Sequence, residues 1–488
     1  MTILRACLLA LGVAAGLALA GSARAQPSIE LPDFGDPSLQ YLSHSDERRL
    51  GSAMLHKLRD RGALLDDVQA SEYLNAIGQR LALNADQTPY GLRFFWLRSP
   101  TINAFAAPGG YIAVNAGLML ATRNEDELAG VLAHEIAHVS QRHLARAYAE
   151  AQRLRIPMAA ALIASALIAR ASSEAGQAAF AGTLAAGQQY GINYTRANEE
   201  EADRFGVQFL ARAGFDPNGM YSFFERLTKL SGGGDQVFDY LRTHPRAELR
   251  AADVGGRALP RRQDRSNRDS LAYPLAKARI KVLSNPNSNT LIQEYGALLA
   301  KGGGGENETE LRYGYTLALK RAGRYAEAEH QLEPLLRRHP DRLSYLIEQA
   351  ELALARGQRE RAWQAFEKAR SLYADDYTLA MHYGSALTTQ GDARKAMSLL
   401  QPQLRRRADD ANLQALYAQA AQRAGQIATA YAAMAEYHYL NGDLELAIRQ
   451  AEQALREPSA TPYQQAQVQA RLRQFKEEYR AEQERETR

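Results

Sequence analysis

The chain has 488 residues, of which 46% are hydrophobic and 23% charged, enough material for two or three domains with buried cores. Its 59 basic and 55 acidic side chains are mixed along the sequence and leave a net charge of only +4, so no nucleic-acid surface is implied. Cys7 is the sole cysteine, which excludes an internal disulfide framework and a cysteine-ligated zinc site.

Residues 1–25 read as a secretory signal peptide: Arg5, an apolar run from Ala6 to Ala20, and the Ala23-Arg24-Ala25 cleavage pattern. Such a leader implies a bacterial envelope compartment, the periplasm. Residues 26–44 read as an extended leader. Ser45 to Ala85 reads as two helices, opened by Ser45-Asp46-Glu47 and by Asp66-Asp67. Leu92 to Leu97 then reads as a strand, and Ala104 to Val114 as a hairpin around Pro108-Gly109-Gly110. Asn103, Ala104, Phe105 and Ala106 could form an edge strand that pairs with an extended substrate backbone. A purely structural hairpin accounts for these four residues equally well.

Asn124 to Arg146 reads as one helix. Asn124 and Glu127 form a capping-box pattern, and Leu128, Leu132, Ile136 and Val139 give the helix an apolar face. Inside it, His134-Glu135-Ile136-Ala137-His138 is an H-E-x-x-H sequence. Two histidines four apart share a helix face and can chelate one metal ion, and Glu135 lies close enough to take a proton from a bound water. Two neutral imidazoles suit zinc, which needs a third protein ligand and one open position.

After it, residues 156–169 and 176–191 are apolar and small. They are too short for a membrane span and read as a buried helical hairpin, a flap near the cleft, or a peripheral membrane contact. Asn198 to Gly214 reads as a helix capped by Asn198, with Glu199, Glu200 and Glu201 in its first turn. Glu199 and Asp203 are four apart, so one could bind metal while the other hydrogen-bonds a ligand histidine; Glu200 and Glu201 read as solvated. No Gly-x-x-His follows His138, which favours a glutamate as third ligand. His143 reads as a packing or ligand-supporting residue. Arg246 and Arg250 could stabilise an oxyanion, with nothing to select either.

Residues 255–270 are rich in Gly, Arg and Ser and read as a linker between a domain over 45–254 and another over 271–488. In the second, Gly323, Gly357, Gly391 and Gly425 recur every 34 residues, with Ala328, Ala362, Ala396 and Ala430 in step. A period of 34 with Gly in the turn and Ala at helix contacts is the tetratricopeptide pattern, whose concave face holds a peptide or partner protein. Gly442 comes only half a period after Gly425, so the array must bend or end irregularly there. Residues 301–308 read as a flexible loop, and a charged helix from Thr461 to about Glu482 as a cap.

The H-E-x-x-H helix, the later E-x-x-A-D helix and Thr243-His244-Pro245 resemble the HtpX-related gluzincin peptidases, and most closely their soluble, BepA-like periplasmic branch, over nearly the whole chain after residue 25. The resemblance implies an α+β zincin-type metallopeptidase domain followed by an all-α tetratricopeptide solenoid, with one Zn2+ per chain. It implies His134, His138 and Glu199 as zinc ligands, Glu135 as general base, Asp203 as hydrogen-bonding support, and His244 as a self-inhibitory contact in the water position. It implies misfolded or stalled outer-membrane proteins as substrates and the outer-membrane β-barrel assembly machinery as partner. A scaffold that mainly holds partners through the repeats, with a latent protease site, is the alternative.

Overall fold

The structure is a computed structural model and describes residues 37–85, 88, 90–153, 195–231, 240, 244, 271–301 and 308–486. The signal peptide, the apolar stretches within 156–191, Arg246, Arg250, the 255–270 linker and the interior of the 301–308 loop lie outside the described residues.

Two helices open the fold, α1 (His44–Asp60) and α2 (Val68–Ala82). Ser43 caps the first, two residues before Ser45, because its hydroxyl accepts from the Asp46 N–H; Asp67 caps the second by accepting from Ala70 N–H. Three strands follow: β1 (Arg93–Leu97), β2 (Ala104–Ala107) and β3 (Tyr111–Asn115). The sheet order is β1-β3-β2, with β1 parallel and β2 antiparallel to β3. β3 is therefore central and buried throughout, and β2 is an edge. The expected hairpin is present, its turn taken at Gly109 and Gly110 with φ of 77° and 82°. A Cβ on Gly109 would sit 2.6 Å from Arg48 Cα, so the turn packs directly on the backbone of α1.

A short α3 (Ala116–Ala121) leads into α4 (Glu125–Ser140), the helix of the H-E-x-x-H residues. Asn124 caps α4 by accepting from Glu127 N–H at 2.9 Å, while the Glu127 carboxylate accepts from Arg123 N–H at 2.8 Å. Instead of one apolar face, α4 is buried on nearly every side; only Glu125, His138 and Ser140 escape. It is the axis of the core, wrapped by α2, the sheet, and α7 (Asn218–Ser231). Gly130 permits that approach, since a Cβ there would lie 2.6 Å from Met220 Cα.

The helix expected to reach Arg146 instead stops at Ser140. Arg142 adopts φ of 52°, its buried guanidinium bonding Glu47 at 2.9 Å and the Leu42 carbonyl at 3.2 Å, and the chain restarts as α5 over 143–153. The acidic helix α6 is described over 195–212 and ends at Gly214, with φ of 74°. It is already helical at residue 195, so Asn198 is an interior residue and not the cap.

The C-terminal half is all helix: α8 (Ala272–Ser284), α9 (Ser288–Ala300), α10 (Glu308–Arg321), α11 (Tyr325–Arg338), α12 (Leu343–Ala355), α13 (Arg359–Leu372), α14 (Tyr377–Gln390), α15 (Ala393–Arg406), α16 (Ala411–Arg423), α17 (Ile427–Leu440), α18 (Leu444–Arg456) and α19 (Pro462–Glu486). The in-step alanines 328, 362, 396 and 430 are all buried where helices meet. Gly323, Gly357 and Gly425 take the left-handed turn conformation, whereas Gly391 does not and lies instead against Leu387 and Trp363. The phase break is structural: connections 339–342, 373–376 and 407–410 give way to the shorter 441–443, where Gly442 has φ of 81°.

The two halves share a helix. Tyr273, Ala276 and Ile280 of α8 belong to the core around α4, while Leu275, Ala278 and Val282 on its other face belong to the core of the helical array. Arg279, between them, is buried and bonds Asp67 at 2.6 Å, Glu348 at 2.8 Å and the Tyr313 hydroxyl at 2.9 Å. Farther along, Arg407 grips Glu72 through two bonds of 2.6 and 2.7 Å, and Arg93 pairs with Asp409 at 3.0 Å. Among the described residues no helix is long and apolar enough to cross a membrane.

Candidate metal centre

Helix periodicity puts His134 and His138 on one side of α4, and their Nε2 atoms lie 3.0 Å apart. α6 crosses beside them and supplies Glu199, whose carboxylate oxygens stand 3.5 Å from His134 Nε2 and 3.3 Å from His138 Nε2. The fourth group comes from 110 residues beyond His134: His244 Nδ1 lies 3.3 Å from His134 Nε2 and 3.1 Å from Glu199 Oε1. One ligand atom from each of the four residues falls within 4.8 Å of all the others.

The donor set fits a metal ion. Asp203 Oδ1 lies 2.9 Å from His134 Nδ1, and a carboxylate can only accept, so the proton of a neutral His134 sits on Nδ1 and Nε2 presents a lone pair. Burial drives His138 down to about 3 and keeps it neutral. Burial alone would raise Glu199, but the surrounding imidazoles outweigh it and hold the carboxyl far below its usual range. Histidine nitrogens and one carboxylate therefore converge on a single point, which is the donor set a divalent cation requires.

Glu135 is 1% exposed on the adjacent face of α4. Burial raises its carboxyl above the ordinary value, against the opposing pull of His244 and His134. Its Oε2 accepts from the Ala106 N–H at 3.0 Å, so the edge strand β2 itself orients this carboxylate; Oε1 lies 3.5 Å from His244 Nε2. A cavity of about 300 Å3 opens here, lined by Phe105, Ala106, Glu135, His138, Glu199 and His244. A larger hollow of about 720 Å3 lies among α16–α19, between Tyr417, Tyr439, Arg471 and Phe475.

The structure thus gathers His134, Glu135, His138, Glu199, Asp203 and His244, and sets β2 residues Ala104–Ala106 at the edge of the sheet beside them. Two supporting groups, Tyr240 and Glu201, go beyond what sequence reasoning found, while His143, read there as a packing or ligand-supporting residue, lies against His138. Tyr240 sits one turn before His244, donates its N–H to the Ile102 carbonyl at 3.2 Å, and lies against the His244 ring at 4.6 Å between centroids. Glu201, expected in solvent, bonds His143 Nε2 at 3.0 Å and pairs with Arg146. His143, which burial draws down to about 4, sets its Nδ1 2.8 Å from His138 Nδ1.

Comparison with known proteins agrees with this geometry. Residues 69–258 match the model of Peptidase family M48. The chain is 34% identical over 449 residues to the β-barrel assembly-enhancing protease of Escherichia coli K12, covering 92% of this chain and 91% of that one. It is 35% identical over 447 residues to the putative β-barrel assembly-enhancing protease of Vibrio cholerae, covering 92% of each. The mitochondrial metalloendopeptidase OMA1 of Schizosaccharomyces pombe is 29% identical over 188 residues, 37% of this chain and 51% of that one. With two relatives matched over nine-tenths of their length at 34 and 35% identity, the chain belongs to peptidase family M48.

Proposed function

We propose that the chain is a zinc-dependent endopeptidase of the bacterial periplasm that removes misfolded or stalled envelope proteins and supports assembly of outer-membrane β-barrels. The observation that carries this reading is the convergence of His134, His138 and Glu199 beside a buried Glu135 in one cavity. These three residues would hold zinc, and Asp203 would fix the ring of His134. Zinc so bound would supply Lewis acidity at the scissile carbonyl and bring the pKa of water to roughly 7. Glu135 takes the proton of the attacking water and returns it to the leaving amine. Ala106 N–H aims that carboxylate, and Ala104 to Ala106 of the β2 edge, with Asn103 just before it, orient the substrate backbone.

We read His244, 3.1 Å from Glu199 and 3.5 Å from Glu135, as a self-inhibitory contact in the water position that withdraws when a substrate engages. The repeats supply the holding surface. The names of the full-length relatives support a partner in β-barrel assembly, for which the 720 Å3 hollow is a binding surface. The domain limits that accompany this reading are a signal peptide over 1–25, a leader over 26–44, a peptidase domain over 45–254, a linker over 255–270 and a repeat domain over 271–488.

Zinc content and casein cleavage, measured together for the parent, His244→Ala and Glu135→Gln, test the reading. About one zinc per chain in all three, faster cleavage by His244→Ala and none by Glu135→Gln are expected. Zinc bound throughout without cleavage by any of them would instead favour a holding factor with a latent site.

A further inference from the structure

His143 follows His138 by five residues, but the left-handed turn at Arg142 separates them and brings the His143 ring back against its neighbour. The two rings meet edge to face, 4.7 Å between centroids and 81° between planes, with Nδ1 2.8 Å from Nδ1. One of these nitrogens must donate and the other accept. The far side of His143 decides which. Its Nε2 lies 3.0 Å from Glu201 Oε2, and the same oxygen is claimed by Arg146, which keeps Glu201 an ionised acceptor. A neutral imidazole has one N–H, and the carboxylate takes it at Nε2. His143 Nδ1 is then a lone pair and accepts from His138 Nδ1–H, which leaves the His138 Nε2 lone pair facing His134 and Glu199.

We propose that His143 and Glu201 are positioning residues forming a relay that fixes the metal-binding tautomer of His138. The proposal rests on the reading of His138 as a zinc ligand. It makes the two histidines of α4 equivalent in principle and different in construction. His134 takes its orientation from a carboxylate directly, through Asp203. His138 takes it from a carboxylate through an intervening imidazole, because α6 carries Glu201 out of direct reach. Swapping the tautomer of His143 would put a proton on the wrong side of His138 and turn a ligand into a donor.

The test is the affinity of the metal-stripped, full-length protein for Zn2+, read by competition with a chromophoric chelator. His143→Leu, similar in bulk but without an acceptor, is expected to bind zinc about 10–100-fold more weakly. His143→Asn restores an acceptor oxygen and is expected to lie closer to the parent than to His143→Leu. Glu201→Ala changes only a partly exposed carboxylate, so it reports on the relay even if His143→Leu fails to fold. It is expected to weaken zinc binding in the parent and to add nothing in the His143→Leu background. Parent-like affinity in His143→Leu or in Glu201→Ala overturns the proposal, as does an Asn variant no better than Leu. His138→Ala separates the two levels: if it binds zinc like the parent, the ligand assignment itself is wrong, whereas a loss of zinc there with no effect at His143 and Glu201 rejects the relay alone.

Discussion

Replacing Arg279 with methionine should loosen the union of the two halves by a predictable amount. The guanidinium is buried and serves Asp67 from the first half, and Glu348 and Tyr313 from the second. Glu348 keeps Lys320 when Arg279 is lost, so the bare charge left behind is that of Asp67. Stranding one member of a buried ion pair costs about 3–5 kcal/mol, and the retained Lys320 places the expectation at the lower end, about 3 kcal/mol. The pH dependence has a definite sign. Burial pushes Asp67 up, but Arg279 and the cap bond from Ala70 outweigh it and hold the carboxyl below its ordinary value. That contribution is therefore present above the unfolded pKa of about 3.9 and is lost as pH falls through the lower folded value. In Arg279→Met the burial acts unopposed by its main counter-charge, Asp67 becomes easier to protonate, and the deficit against the parent should shrink between neutral pH and pH about 4. The assay is urea unfolding followed by tryptophan emission. The two tryptophans report separately, Trp96 from the core around α4 and Trp363 from the helical array, so Trp363→Phe leaves a single reporter. Parent transitions should coincide at both probes, and in Arg279→Met the two should separate. A loss under about 1 kcal/mol with the probes still coincident would refute the reasoning, because Asp67 would then have found other compensation.

Two further outcomes test the core and the site. Gly130→Ala should destabilise in spite of a helix-propensity gain of about 1 kcal/mol, since the new Cβ meets the Met220 backbone at 2.6 Å and overpacking costs about 1–3 kcal/mol; a raised melting temperature would contradict this. Asp203→Ala should weaken zinc binding about 10–100-fold while far-UV dichroism stays unchanged, because it frees the ring of His134 without touching the backbone; unaltered affinity in a chelator titration would count against it.

What could be read from the residues and what could not follows the range of the interactions. The hairpin, the cap at Asn124 and the 34-residue step are local, decided within a turn or a repeat, and each is present in the structure. The end of α4 does not follow from the local pattern, because Arg142 leaves helical geometry for Glu47 and the Leu42 carbonyl, partners about a hundred residues earlier. Glu201 looked solvated for the same reason: His143 and Arg146 arrive on a separate helix. The dipole argument for Glu199 rested on a helix start at Asn198 that the structure does not have, yet the four-residue spacing to Asp203 still sets both carboxylates beside the same histidine. Gly391 kept the repeat period but serves contact with Trp363 in place of a left-handed turn, a distinction that period alone does not carry.

The helix shared between the two cores also orders events in time. A chain made from its N-terminus can form α1 to α7 and the sheet while α8 is still to come, but the surface that Tyr273, Ala276 and Ile280 cover then stays open to water. The first half is complete only once residue 284 has emerged, and by then α9 and the first repeat are already following. A newly made molecule therefore closes the core around α4 only as the helical array begins to follow, and a chain broken off before α8 keeps that apolar surface uncovered.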